Sequence, residues 1–414
     1  MRNKVFNYLA ILCGIVTLAI TSCSKKDDPD PVQEPKCTVL VYMVADNDLG
    51  GGGGYGGVNV DKVNMNQMQQ AVARGALNGG RLLVYYDPSE ADIEPQLLEI
   101  TEGGTVSLKA YSEQGSSLDA DFMRQVLADA AELAPAPKNW LVLWSHGTGW
   151  IESLDSRSAG YEASTTSFGK DTHPYTTEMT VGTLASVLGN DKYYDVIYFD
   201  CCFMGCIEVM YELRNAAKEI VSSATELPVN GMPYDVNVPA MFADDATARQ
   251  VAENTLNHYL DLYNQYGPKP AYSCTMAVVN TDEIEPLAEA TRAIQLTGVT
   301  APFSYDNLND PEHTAVPLYR KNGTNSRTYD FGHYINHLEI DDRSLLDNWN
   351  EKYRAAVTYF GSTPISYGLD MSEFTGLGSY IVHNKSDLRI CGYTNLAWYK
   401  DVVSVNPSLQ DTQN

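Results

Sequence analysis

Short apolar runs alternate along the chain with longer segments in which apolar residues recur every three or four positions. A period near 3.6 residues is typical of helices that bury one face, and uninterrupted apolar runs are typical of strands buried on both faces. The predicted strands are 37–45, 80–87, 139–146, 194–201, 219–225, 270–280, 363–370 and 377–384. The predicted helices are 58–77, 118–133, 179–190 (with Thr180 as its candidate N-cap), 206–218, 244–267, 282–296 and 345–360.

This order of elements predicts an α/β fold with a parallel sheet covered by helices on both faces and joined by right-handed crossovers. We predict one core over residues 37–267 and a C-terminal α/β extension over residues 268–414 that packs on it. At this length the chain can bury a sizeable core without disulfides.

The N-terminus has the pattern of an export signal. Arg2 and Lys4 precede the apolar run "YLAILCGIVTLAI", which is too short to span a membrane comfortably. The run ends in "ITSC", which resembles a bacterial lipobox and makes Cys23 the expected site of lipidation. We therefore predict a lipoprotein signal peptide over residues 1–22 and an acylated cysteine with a flexible polar tether over residues 23–36. The expected location is the outer membrane, facing the cell surface or the periplasm.

Composition narrows the class of partner. The chain has 28 basic and 53 acidic residues, for a formal net charge of −25 at pH 7. Such an excess of acid argues against nucleic acid and anionic lipid as partners, so contact with a membrane is expected through the N-terminal lipid anchor only. A negative surface suits cationic substrates, although solubility alone also explains it.

Reactive residues follow two of the predicted strands. The third strand runs into Ser145, His146 and Gly147, and the fourth strand runs into Asp200, Cys201 and Cys202 (Val196 to Glu208 reads "VIYFDCCFMGCIE"). The carboxyl ends of parallel strands are where such sheets bind ligands, so these residues share one crevice if the two strands are neighbours.

A thiol and an imidazole in one crevice could act as nucleophile and general base. Backbone N–H groups of Gly147 and of Cys202 could bind the oxyanion, and the dipole of the following helix is expected to lower the pKa of the thiol. A zinc site built from Cys202, Cys206 and a histidine is the rival reading; because a second paired ligand motif is missing, we predict no metal site. Six cysteines follow Cys23, and most lie in apolar runs, so packing explains them better than a disulfide framework.

The motifs around these residues are similar to those of a known family. "LVLWSHGTGW" and "YFDCCFMGCIEVMYEL" resemble the His-Gly and Asp-Ala-Cys-Leu-Met motifs of the clostripain family, in the caspase-like clan of cysteine peptidases. The segments "VLVYMVADNDL", "SSATELPVNGMPY" and "YDFGHYINHL" stand in the family's order, and the resemblance covers most of residues 37–385. It implies a caspase-like three-layer sandwich with a mostly parallel central sheet.

The resemblance also implies roles for single residues. The family nucleophile follows the aspartate by two, which makes it Cys202, with Cys201 in the place of an alanine. Alternation along the strand agrees, since Asp200 and Cys202 share one face and Cys201 points to the other. The family cleaves after Arg or Lys at P1, and Asp200 is placed to bind that side chain in the S1 pocket. Asn230 stands where many members carry an aspartate, which leaves a lysine preference or relaxed specificity open.

Some family members activate themselves by cleavage between the histidine and the cysteine. We expect cleavage after Arg157, with Lys170 as the second candidate, while an uncut surface loop remains the alternative. No cofactor is expected to be required; calcium dependence is left undetermined, since no EF-hand-like loop is present. Two other functions remain open: a peptide-binding surface lipoprotein on the same fold that does not cut, and a Cys-His acyl or amide hydrolase with a non-basic substrate.

Overall fold

A computed structural model describes residues 34–52, 57–90, 92–111, 115–151, 168–300, 328–382, 385, 388 and 392–410. Residues 35–414 form one compact unit. None of the helices in these ranges combines the length and the hydropathy needed to cross a membrane. The predicted domain boundary at residue 267 stays a prediction.

A nine-stranded sheet forms the centre of this unit, in the order β12-β10-β9-β8-β5-β1-β2-β3-β4. Strands β3 and β10 run antiparallel to the others, so the sheet is mostly parallel, as predicted. Its strands are β1 Thr38–Val44, β2 Arg81–Asp87, β3 Gln96–Thr101, β4 Gly104–Ala110, β5 Asn139–Trp144, β8 Tyr194–Asp200, β9 Ala217–Ser222, β10 Thr275–Asn280 and β12 Val357–Ser362. Three two-stranded sheets pair β6 Phe168–Asp171 with β7 Thr177–Met179, β11 Thr328–Asp330 with β15 Gly378–Tyr380, and β13 Ile365–Ser366 with β14 Leu369–Asp370.

Helices cover both faces of the sheet. The α-helices of the described ranges are α1 Val60–Ala73, α2 Ala120–Leu133, α3 Val181–Leu188, α4 Ile207–Glu212, α5 Tyr234–Met241, α6 Ala248–Tyr266, α7 Ile284–Gln295, α8 Phe331–Asn336 and α9 Arg343–Ala356. Helices α1, α5 and α6 pack on one face with alternate residues of the strands, and α2, α3, α4, α7 and α9 pack on the other. Both faces are therefore apolar, which explains the uninterrupted hydrophobic runs in the sequence.

Two helices begin where the sequence predicts. The Thr180 side chain accepts a hydrogen bond from the backbone N–H of Thr183, as expected of an N-cap, and Asp119 caps α2 in the same way. These caps satisfy backbone donors that the first turn of a helix leaves without partners. The α/β fold class and the covered central sheet are thus confirmed.

The structure corrects other boundaries. The predicted helix 345–360 is wrong beyond Ala356, because the next six residues form β12 and pair antiparallel with β10. The predicted helix 206–218 is too long, since α4 ends at Glu212 and β9 begins at Ala217. The hairpins β3–β4 and β6–β7, and helix α5, were not predicted. Strand β4 lies at the edge of the sheet and is largely exposed, so its sequence lacks the apolar run of a buried strand.

Candidate active site

The two segments with reactive residues meet at one edge of the sheet. Strands β5 and β8 are parallel neighbours, with Trp144 opposite Asp200. The chain therefore leaves both strands at the same level, and the expectation that His146 and the cysteines share one crevice is confirmed. The contact is close at Gly147, where a Cβ atom would lie 2.5 Å from the carbonyl oxygen of Cys202. Only glycine fits at this position.

A pocket of about 540 Å³ opens over these strand ends. Its lining comes from the segments at the ends of β1, β5 and β8, from β6, from the segment after β9 and from two later loops. The lining residues are Asp48, Leu49, Trp144, Ser145, His146, Gly147, Thr148, Lys170, Asp200, Cys201, Cys202, Phe203, Glu226, Leu227, Pro228, Val229, Gly231, Pro270, Ala271 and Tyr367.

His146 is held by an acid from the end of β1. Its Nε2 lies 3.0 Å from Oδ1 of Asp48, and the ammonium of Lys170 lies 3.5 Å from the same oxygen. The hydrogen bond with His146, together with the charge of Lys170, holds the pKa of the Asp48 carboxyl well below its usual range. Asp48 is therefore an anion at neutral pH.

The sulfur of Cys202 lies against the segment that follows β9. The backbone N–H of Leu227 donates to Sγ at 3.4 Å, and the residue is half-buried. Desolvation of the sulfur raises the pKa of Cys202 to about 12, with smaller contributions from the charges of Glu226 and Asp200, against the lowering effect of the Leu227 bond. The expected lowering of this pKa by a helix dipole is wrong, because α4 begins only at Ile207 and burial dominates. The thiol is protonated until a base takes its proton.

The other described cysteines are packing residues. Cys201 is 3% exposed and lies in the apolar layer on the opposite face of the sheet from Tyr198, as strand alternation predicts. Cys206 is buried in the same layer and is the residue from which α4 begins. Along with Cys37 and Cys274 they are free thiols. Cys391 lies outside the described residues.

Asp200 is a buried carboxylate in the lining of the pocket. Its Oδ1 accepts from the backbone N–H of Met232 at 2.9 Å and its Oδ2 accepts from the hydroxyl of Tyr234 at 2.9 Å. Burial raises the pKa of Asp200 to about 7, although both hydrogen bonds favour the ionised form. Gly231 has a φ of +62°, and a Cβ there would lie 2.6 Å from Oδ1 of Asp200, so glycine is required for this approach.

Asn230 is not among the residues that line the pocket. Asn230 is exposed, and its carbonyl accepts from the Asn64 side chain at 3.1 Å, while its neighbours Val229 and Gly231 line the pocket. Glu226 lines the pocket together with Asp48 and Asp200, and sequence reasoning missed both Glu226 and Asp48. The signal was available: both residues follow closely after strands whose carboxyl ends reach this edge.

Among the predicted processing and lipidation residues, Lys170 lies within the described ranges. Lys170 lies in β6, where its N–H donates to Oγ of Ser145 at 3.2 Å and its carbonyl accepts from the Asn47 side chain at 2.8 Å. Arg157 and Cys23 lie outside the described residues. Within the described ranges, no group of three or more His, Cys, Asp or Glu side chains could hold a metal ion.

Comparison with known proteins gives a consistent result. The family model of the clostripain family matches residues 41–369. A search of curated proteins found no match. Three solved structures cover 89% of this chain and 99% of their own. One is a secreted C11 cysteine protease from Bacteroides thetaiotaomicron in complex with an irreversible peptide inhibitor (26% identity, TM-score 0.69). Another is an inactive zymogen C11 protease from Parabacteroides distasonis (26%, 0.67). The third, a secreted C11 cysteine protease from Bacteroides thetaiotaomicron called iotapain, is 21% identical with a TM-score of 0.72 and is similar in fold.

Proposed function

This chain belongs to the clostripain family of cysteine peptidases, and on that premise we propose that it is an endopeptidase that cleaves after Arg or Lys by means of a Cys202–His146 dyad. The observation that carries the proposal is that these two residues line one pocket, at the ends of the parallel strands β5 and β8. The solved relative in complex with a peptide inhibitor supports a peptide as the substrate.

The chemistry follows from the state of the two groups. Because the thiol of Cys202 is protonated, His146 acts first as a general base and takes its proton as Sγ attacks the scissile carbonyl. The oxyanion that forms is bound by the N–H groups of Cys202 and Gly147. The imidazolium then gives its proton to the departing amine, which leaves an acyl-enzyme, and a water molecule activated by His146 hydrolyses the thioester and restores the thiol.

A preference for basic P1 side chains is supported by the acids of the pocket. Asp200 and Glu226 both line it, and no cation pairs with Asp200 in the part of the chain that the structure describes. A lysine or arginine side chain of the substrate would supply that cation. Because Asn230 is exposed and outside the pocket lining, we assign the S1 role to Asp200 and Glu226.

Hydrolysis of short fluorogenic peptides tests this proposal. We expect cleavage of peptides that end in Arg or Lys and little cleavage of a matched peptide that ends in Gln. Cys202→Ala should abolish cleavage, and the matched control Cys201→Ala should keep it within a few-fold. Activity that survives in Cys202→Ala but not in Cys201→Ala would refute the assignment. Binding of the basic peptides without cleavage would favour a peptide-binding protein, and cleavage of the Gln peptide alone would favour a hydrolase with a non-basic substrate.

Activation by self-cleavage is a further part of the proposal. The relative described as an inactive zymogen supports a precursor form. We propose cleavage after Arg157, in the interval between His146 and Cys202, with Lys170 second because its backbone would first have to leave β6. N-terminal sequencing of purified active protein should give a second sequence that begins at Ser158, and one unbroken active chain would remove the proposal.

The proposal also includes a lipid anchor at the N-terminus. We propose that residues 1–22 are removed and that Cys23 carries the lipid, which places the enzyme on the outer membrane; the relative described as secreted supports export. Labelled palmitate should enter the wild-type chain but not the Cys23→Ala variant, and equal labelling of both would refute the anchor. Access of added protease to the enzyme on intact cells separates the surface from the periplasm.

A further inference from the structure

We propose that Asp48 is a positioning residue for His146, which it holds through Nε2 so that Nδ1 is the nitrogen that exchanges a proton with Cys202. This inference rests on the proposed Cys202–His146 dyad and adds a third side chain to it. Asp48 comes from the end of β1, in the segment "VADNDL", and reaches His146 across 98 positions of sequence.

The hydrogen bond selects one tautomer of the imidazole. The carboxylate oxygen Oδ1 can only accept, so at 3.0 Å the Nε2 atom of His146 must carry the hydrogen. In the neutral ring the other nitrogen, Nδ1, is then the acceptor, and a general base needs an acceptor nitrogen. Without this bond either nitrogen could carry the hydrogen, and in the rings that carry it on Nδ1 the acceptor would be Nε2 instead.

The charge of Asp48 favours the step itself. When His146 takes the thiol proton, the ring becomes a cation next to a carboxylate that is ionised at neutral pH. Lys170 is the other described charge on Asp48, 3.5 Å from the same oxygen, and offsets part of this attraction. The pair is partly buried, with 27% of the His146 side chain and 39% of the Asp48 side chain exposed, so its attraction is less screened than on an open surface.

The turn that carries Asp48 is fixed. The side-chain amide of Asn47 donates to the carbonyls of Val44 and Lys170, and its oxygen accepts from the backbone N–H of Leu49. These three bonds lock the residues on both sides of Asp48 and fasten the turn to β6. A carboxylate held on a fixed turn restricts the orientations that the His146 ring can adopt.

The experiment compares Asp48→Asn with a matched control, Asp46→Asn, in the full mature protein. Asp46 lies on the same turn and also accepts from a histidine, His173, but neither residue lines the pocket. We expect Asp48→Asn to lower kcat for basic peptides about 10- to 100-fold with KM within about threefold. Asp48→Glu should restore part of the loss, and Asp46→Asn should stay within about twofold.

Two more readouts separate positioning from a merely structural role. The pH profile of kcat should differ from that of the wild type in Asp48→Asn, since the carboxylate beside the ring is gone. Alkylation of the Cys202 thiol by iodoacetamide, which needs no peptide, should slow by a similar factor as kcat. A wild-type profile and alkylation rate in Asp48→Asn would overturn the proposal, as would an equal loss in Asp46→Asn.

Comparison of the His146→Ala and Asp48→Asn variants distinguishes a failure of this inference from a failure of the proposed function. If His146→Ala abolishes activity and Asp48→Asn does not, the dyad stands and the role of Asp48 is refuted. If His146→Ala itself keeps wild-type activity, the dyad is refuted and the role of Asp48 falls with it. Thermal unfolding of each variant shows whether a loss of activity comes from a loss of folded protein.

Discussion

Two aspartate–histidine pairs start from the same turn after β1, and one of them lines the pocket that Cys202 also lines. Asp48 and His146 are 3.0 Å apart in the pocket, whereas Asp46 and His173 are 2.6 Å apart outside the pocket lining. His146 is 27% exposed and His173 is 60% exposed. The shorter bond thus belongs to the pair without a nucleophile. Both histidines have an acid as partner. What distinguishes His146 is its position at the end of β5, next to the end of β8 that carries Cys202.

The largest difference in activity is expected between variants that lack one of the two histidines. We expect His146→Ala to lower kcat/KM for basic peptides about 1,000-fold or more, because the thiol of Cys202 then has no base. His173→Ala should stay within about twofold, since its ring lies outside the pocket lining. The measurement is kcat/KM on the same Arg and Lys peptides, with circular dichroism as the control for folding. Equal losses in the two variants would mean that the location of the pair does not decide its role.

Asp200 is an acid of the pocket whose partners are a backbone N–H and a tyrosine hydroxyl instead of a histidine. Asp200 has a pKa raised to about 7, and the substrate is expected to supply its cation. A basic P1 side chain binds the ionised carboxylate better, so KM for Arg and Lys peptides should fall as pH rises from about 6 to 8. Asp200→Asn should raise that KM about 10- to 100-fold and remove its pH dependence. The control is the Gln peptide, and a wild-type KM profile in Asp200→Asn would exclude this acid from the S1 pocket.

Glu208 is a buried acid that forms no ion pair among the described residues, and it is expected to change stability with pH. The Oε1 atom of Glu208 accepts from the N–H of Tyr380 at 2.7 Å and from the hydroxyl of Ser379 at 3.3 Å, and its Oε2 has no hydrogen-bond partner among the described residues. Burial raises the pKa of Glu208 to about 7. Between its ordinary value of 4.5 and about 7, the folded protein holds a proton that the unfolded chain has lost. Its contribution to stability is therefore present at low pH and is lost as pH rises through about 7.

We expect the advantage in stability of Glu208→Gln over the wild type to be larger at pH 8 than at pH 5 by about 2–3 kcal/mol. The reason is that glutamine keeps the acceptor for Tyr380 and carries no charge. Urea unfolding at both pH values measures the difference. The control is Glu289→Gln, an exposed glutamate of α7, whose stability should follow the wild type at both. A difference that is the same at pH 5 and pH 8 would show that the charge of Glu208 does not matter.

The α/β class follows from the sequence alone, as do the strands with uninterrupted apolar runs and the helices with one regular apolar face. Strands β1, β5 and β8 and helices α1, α2 and α6 were predicted because their hydrophobic period does not depend on a distant partner. The distinction between Cys201 and Cys202 also came from the sequence, since alternation along a strand puts neighbours on opposite faces. The family resemblance rested on the order of motifs and was confirmed by the family model over residues 41–369.

Three features depend on segments far apart in the chain, and they could be known only from the folded structure. Residues 357–360 are a strand because β10 pairs with them across some eighty positions, and the same residues continue a helical pattern when read locally. The thiol pKa of Cys202 was predicted in the wrong direction, because desolvation by the segment after β9 outweighs a helix that begins five residues later. The contact of Asp48 with His146 is likewise a product of the fold, since strand order alone places the end of β1 beside the end of β5.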